Sequence, residues 1–179
     1  ISMSILIRTA EDRDLEQVSS IENECFPKAE AASYQSLKER LAAFKTSFLV
    51  AEEDGVVIGF INGCITQKRK LIDELYESTH LHDEAAPNQM VFGLAVQPEE
   101  QKRGIASQLM KAYIAQAARY HKALITLTCK KRLIPFYEHF GYRCEGKSAS
   151  VHGGVCWYDM TLFLEQEDMY DEQEKNGLL

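Results

Sequence analysis

A chain of 179 residues, 45% hydrophobic and 26% charged, is long enough to bury a core and has the composition of one globular domain. Its formal net charge of −7 excludes a general nucleic-acid binder, which carries a basic excess, and suits a cationic small substrate. No run approaches the ~18 apolar residues of a membrane helix, and the first residues lack the basic and apolar regions of a signal peptide.

Ser4 to Thr9 (SILIRT) reads as a short opening strand. Thr9-Ala10-Glu11-Asp12 has the spacing of a capping box, with Asp for the usual Glu, and opens a helix that runs to about Cys25. Leu15, Val18 and Ile21 or Glu22 recur along it at helical steps, and Pro27 ends it. Ser33 caps a second helix, YQSLKERLAAF, with Leu37, Leu41 and Phe44 on one face. Phe48 to Gln67 forms a hairpin around Asp54-Gly55, a strong turn signal between two apolar runs. Lys68 to Gln89 is a long polar connection, partly helical at LIDELYE; connections of this size are usually functional or mobile. The strand MVFGLAV (90–96) follows, then a charged turn and a helix from Gly104 to about Tyr120 with a stripe of Ile105, Leu109, Ala112, Tyr113 and Ala117. ALITLTC has the uninterrupted pattern of a central strand, IPFYEHFG is a short helix stopped by Gly141, and YRCEG and VCWYDMTLFL close the sheet.

This order predicts a mixed, mostly antiparallel α/β sheet in a single domain from residue 3 to 164, followed by an acidic tail over 165–179. Ile1-Ser2 ahead of Met3 reads as a cloning remnant. The five cysteines are dispersed, without metal-ligand spacing, and suit reduced cytoplasmic thiols. The five histidines do not pair, so no metal is expected. Monomer and homodimer are equally compatible with the sequence.

The turn Gln101-Lys102-Arg103-Gly104-Ile105-Ala106 raises the functional question. A helix N-terminus presents unpaired N–H groups and about half a positive charge, a natural seat for phosphate. Gly104 and Ala106 admit a ligand close to the backbone, and Lys102 and Arg103 add charge. A plain strand–helix connection with solvated cations has the same local pattern. There is no GxxxxGK[ST] and no GxGxxG, so neither a P-loop nor a dinucleotide fold is supported.

Gln101, Gly104 and Ala106 match Q/R-x-x-G-x-G/A, and here the sequence resembles the GNAT superfamily of acetyl-CoA-dependent N-acetyltransferases. The hairpin residues Ala51 to Gly55, the LAV strand, IPFYEHFGY, Ile21 to Phe26, and the connection through Lys68, Leu71 and Leu81-His82 are similar to the arylalkylamine (serotonin) N-acetyltransferase branch. The resemblance runs from about residue 5 to 164. It implies splayed central strands flanked by helices, and acetyl-CoA as cosubstrate. Gln101, Lys102, Arg103, Gly104, Ile105, Ala106 and Ser107 would cradle its pyrophosphate. Leu94, Ala95 and Val96 would pair with its pantetheine arm, with the Leu94 N–H as oxyanion donor.

The resemblance also assigns Tyr137, in PFYEHFGY, as the proton donor to the leaving thiolate, although periodicity alone reads it as a core aromatic. The two histidines of the serotonin enzymes fall on Met90 and Phe92, which cannot move a proton and read as pocket wall or core. Glu30 and His152 are the candidate replacement bases, with ordered water as a third route. Phe26, Tyr34, Thr128 and Trp157 match positions lining the arylalkylamine pocket; the aromatic ones read equally well as core. Cys129 is a buried structural thiol. The function expected is acetyl transfer to a small primary amine, with two alternatives: a protein or peptide N-terminal acetyltransferase, and a non-catalytic acyl-CoA-binding regulator.

Overall fold

The computed structural model describes residues 4–165; the acidic tail named above falls outside them apart from Glu165. Strand β1 (Leu6–Thr9) leads into a single 3₁₀ turn and helix α1 (Leu15–Cys25). Thr9 is taken up by pairing with Leu49, so the capping box shifts two residues on: the Glu11 N–H donates to Asp14 Oδ2 at 2.7 Å. Arg8 reaches both Asp14 oxygens and Glu52, joining β1, the start of α1 and strand β2 (Phe48–Glu53). Helix α2 (Tyr34–Ala43) is capped at Ser33, whose Oγ accepts the Ser36 N–H at 3.0 Å.

Asp54 and Gly55 both have positive φ, as the tight hairpin between β2 and β3 (Val56–Asn62) requires. The expected long second strand of this hairpin is broken at Gly63, and β4 (Ile65–Thr66) lies in a different sheet. The polar connection contains α3 (Asp73–Glu77). The expected strand over 90–96 is likewise two strands, β5 (Asn88–Val91) and β6 (Gly93–Val96), parted at Phe92. The two breaks face each other: Met90 N–H donates to Cys64 O and Phe92 N–H to Asn62 O. A Cβ on Gly63 would lie 1.8 Å from the Met90 carbonyl oxygen, so only glycine lets the two chains bend together here.

Helix α4 (Ile105–Arg119), strand β7 (Leu124–Cys129), helix α5 (Ile134–Glu138) and strands β8 (Arg143–Lys147) and β9 (Tyr158–Phe163) complete the order. One sheet runs β1-β2-β3-β6 and the other β4-β5-β7-β9-β8. Among the described residues every pairing is antiparallel except β5 with β7. Leu49 and Ala51 of β2 pack on the side of α4, whose buried stripe includes Ile105, Leu109, Met110 and Tyr113. Phe48 and Val50 face the other way, against α1 and α2. Helices thus cover both faces, and each fully buried Leu, Ile or Phe contributes roughly 1.5–3 kcal/mol. No helix among the described residues is long and apolar enough to cross a membrane.

Candidate active site

The site begins where β5 becomes β6. β5 stays beside β7, while β6 crosses to the edge of the other sheet, opening a gap between β6 and β7. The Gln97 N–H donates to Ile58 O at 2.8 Å, which fixes the antiparallel alternation. Ala95 therefore turns its amide and carbonyl towards β3, and Leu94 and Val96 turn theirs to the open edge. Of the three residues expected to meet an extended ligand through their backbone, Ala95 is already used within the sheet. The Val96 carbonyl accepts from Gln101 Nε2 at 3.0 Å and from Cys25 Sγ at 3.2 Å. The Leu94 N–H faces the gap.

Beyond β6 the chain turns through Lys102 and Gly104, both with positive φ, and Gly104 caps α4 in the left-handed conformation at φ 79°. The first bond of the helix runs from Gln108 N–H to Gly104 O, so the N–H groups of Ile105, Ala106 and Ser107 precede it without an intrahelical acceptor. A Cβ on Gly104 would meet nothing within 4 Å, which leaves this cradle open. Arg103 does not point freely into it: the guanidinium is forked onto Glu53 at 2.6 and 3.2 Å and also pairs with Glu100. Lys102 is exposed.

The gap opens into a cavity of about 710 Å³. The structure brings Leu94, Phe26, Glu30, Thr128, Tyr137 and Trp157 to its wall, together with His152. It does not bring Tyr34: this first residue of α2 is 45% exposed and hydrogen-bonds Glu16 on the surface of α1 at 2.9 Å. Gln101 to Ser107 lie outside the cavity. Met90 is fully buried core, its carbonyl accepting from Tyr113 Oη at 2.6 Å, whereas Phe92 lines the cavity.

Tyr137 is buried, its ring edge-on to Phe136 and Tyr142, and its hydroxyl makes no hydrogen bond among the described residues. Burial pushes its pKa up, so the hydroxyl keeps its proton at neutral pH. Thr128 Oγ1 lies 3.2 Å from the Tyr76 hydroxyl. Glu30 pairs with Lys130, whose Nζ is 2.9 Å from Oε1 and 3.1 Å from Oε2. His152 Nε2 sits 3.0 Å from the Glu30 carbonyl and donates to it, its ring stacked on Tyr76. Trp157 Nε1 donates to the His152 carbonyl at 2.7 Å.

Two of the other charged lining residues, Glu22 and Arg40, are buried, and neither stands out in the sequence as a site residue. Glu22 is 5% exposed; Oε1 accepts the Ala32 N–H at 2.9 Å, and Oε2 has no partner. That free oxygen would lie 3.7 Å from a Cβ on Gly93, which precedes Leu94. Burial raises the Glu22 pKa, against the opposing pull of the Ala32 N–H and of Arg40. Arg40 is 6% exposed and lies over the Phe92 ring, 4.8 Å from its centroid. The available signal was positional: Glu22 is four residues after Val18, and Arg40 three after Leu37, each on its helix's apolar stripe. Among the described residues no group of three or more His, Cys, Asp or Glu is placed to hold a metal ion.

Residues 10–164 match the family model described as Acetyltransferase (GNAT) domain. Serotonin N-acetyltransferase of Mesocricetus auratus is 28% identical over 113 residues, which cover 63% of this chain and 53% of that protein. The enzyme of Macaca mulatta is 27% identical over 117 residues, covering 63% and 54%. The chain thus spans about half the length of the curated relatives it matches. Among solved structures, the GphF GNAT-like decarboxylase in complex with isobutyryl-CoA superposes with a TM-score of 0.77 at 19% identity, covering 89% of this chain and 100% of that one. Arabidopsis thaliana Naa50 in complex with the bisubstrate analogue CoA-Ac-MVNAL gives 0.70 at 16%, covering 90% and 99%. The yncA protein of Salmonella typhimurium with acetyl-CoA gives 0.69 at 18%, covering 92% and 96%. At these identities the superpositions speak for the fold.

Proposed function

The chain belongs to the GNAT acetyltransferase family, and from that premise we propose that it transfers acetyl from acetyl-CoA to a small primary amine by direct attack in a ternary complex. The observation that carries this is Tyr137: a buried ring whose hydroxyl is kept protonated, has no partner among the described residues, and lies in the same cavity as the open edge of β6. The open cradle at Gly104 and the first-turn N–H groups fit a pyrophosphate, and the open edge of β6 fits an extended arm through the Leu94 backbone and the Val96 N–H, the Val96 carbonyl being taken by Gln101 and Cys25. The bound thioester supplies the electrophilic carbonyl.

An alkylamine has a pKa near ~10.4, so at pH 7 the free base is roughly a thousandth or less of the total, a penalty of about 4–5 kcal/mol. Glu22 is the base best placed to lower it, because one of its oxygens is unpartnered and the carboxylate sits beside Gly93. Glu30 is already neutralised by Lys130, and His152 donates its Nε2 proton to a carbonyl; both serve better to shape the wall. As nitrogen attacks, the Leu94 N–H stabilises the oxygen that gains charge; when the C–S bond breaks, Tyr137 gives its proton to the thiolate and is refilled from solvent. Phe26 and Trp157 favour an arylalkyl acceptor. The cytoplasmic setting proposed for the protein rests on the odd, dispersed cysteine count of the sequence.

Thiol release from acetyl-CoA, measured with phenethylamine, tryptamine, polyamines and short peptides, tests the proposal. Acceptor-dependent release is expected, falling about 10²-fold or more in Tyr137→Phe with acetyl-CoA affinity nearly unchanged. Release only with peptides would favour the N-terminal acetyltransferase alternative. Tight acetyl-CoA binding without release from any acceptor would favour the regulator. Unchanged turnover in Tyr137→Phe would remove the tyrosine from the mechanism.

A further inference from the structure

Arg40 is a buried cation that the transfer chemistry does not use. A guanidinium carries five N–H donors, yet its one hydrogen bond among the described residues is a long one, from Nη1 to Asn62 Oδ1 at 3.4 Å. Asn62 Nδ2 is itself buried without an acceptor, and Glu22 Oε2 without a donor. Arg40 and Glu22 feel each other electrostatically but form no ion pair. Two opposite charges buried for stability alone gain most by closing onto each other, since an open pair bears the desolvation cost without the contact. Here they stand apart on the wall of one cavity.

The other cations there are not available in the same way. Lys130 is paired with Glu30, and Arg132 is exposed. The Arg40 guanidinium lies over the Phe92 ring, and apart from the long bond to Asn62 its donors are unused among the described residues, so they are available to a ligand in the cavity. That planar fork matches two oxygens of a carboxylate. An amine at Glu22, beside Gly93 and the Leu94 N–H, and an anionic group at Arg40 would satisfy both charges with one small molecule.

We propose that Arg40 docks an anionic oxygen group on the acceptor, so that the amine acetylated also carries a carboxylate, as a free amino acid does. This rests on the cavity being the acceptor site of the acetyltransferase proposed above.

The chain's single tryptophan, Trp157, lines the cavity, and its fluorescence reports occupancy independently of turnover. The free protein is titrated with phenylalanine, 3-phenylpropionate, phenylalanine amide and phenethylamine, and thiol release is then measured with the three amines. The two carboxylates are expected to bind about tenfold or more tighter than the amide and phenethylamine. Arg40→Met should erase that preference and Arg40→Lys keep part of it. The wild-type comparison needs no variant, so a misfolded Arg40→Met leaves the test intact. Equal or tighter binding of the two uncharged-tail amines, or no binding of either carboxylate, overturns the proposal; the first result identifies a solvated structural arginine or a peptide acceptor. If release from phenethylamine proceeds in that case, acetyl transfer stands and only the anion site falls. If the carboxylates bind through Arg40 while no amine supports release, the anion site stands and the transferase reading falls.

Discussion

Glu22 and Glu30 face the same cavity and are held in opposite ways, one by a single backbone N–H and the other by an ammonium. Burial raises the Glu22 pKa above its ordinary value near 4.5, and a base works only when ionised. Thiol release should therefore rise with pH through a limb lying above the usual carboxylate range. Glu22→Gln should lower kcat/KM by about 10²-fold and abolish that limb, because the amide can still accept the Ala32 N–H but cannot take a proton. Glu30→Gln should leave the limb in place and act on acceptor binding through the released Lys130. A limb that survives in Glu22→Gln places the base elsewhere. Glu30 is a candidate base in the sequence only because the family histidines are replaced by Met90 and Phe92, and nothing in a run such as IENECF distinguishes an inward acid from an outward one except its step from Val18.

At the level of elements, most of the order was legible because each apolar run or stripe announces its own period. Ser33, Asp54-Gly55 and Gly141 punctuate where expected. The breaks at Gly63 and Phe92 were not legible: both lie inside continuous apolar runs, and a strand's partner is decided by distant chain. The cradle shows the same division. Its Q-x-x-G-x-A spacing could be read from sequence, but the left-handed φ of Gly104 could not. Gly104→Val should cost about 1–2 kcal/mol of stability through that φ, read as a lower Tm. On the proposed pyrophosphate site, the same substitution should weaken acetyl-CoA binding by about tenfold or more, because a branched side chain would occupy space that is open beside the Gly104 backbone. Unchanged affinity in a folded Gly104→Val would move the pyrophosphate off this helix.

Across the whole molecule, the cavity draws on α1, α2, α3, β6, β7, α5 and the loop before β9, so residues 22 to 157 meet in a space no spacing rule describes. What makes that space is the parting of two sheets, and the parting hinges on Gly63. Gly63→Ala should destabilise by more than the ~1–3 kcal/mol of ordinary overpacking, since the obstacle is the Met90 backbone rather than a movable side chain. Chemical denaturation checks this; a variant of near-native stability would show that the sheets part without the close approach. The fold by itself does not select acetyl transfer, for one neighbour with a TM-score of 0.77 is a GNAT-like decarboxylase. In the proposed reaction that choice falls to Tyr137 and the carboxylate at Glu22, and their substitution tests it.

The fork of Arg103 on Glu53 has a thermodynamic consequence. Glu53 ends β2 beside the hairpin turn, so the charged loop ahead of α4 is fastened to the rigid sheet before any ligand arrives. The conformational entropy lost in ordering that loop is incurred during folding, so if the loop receives the pyrophosphate as proposed, it would convert more of its contact energy into affinity.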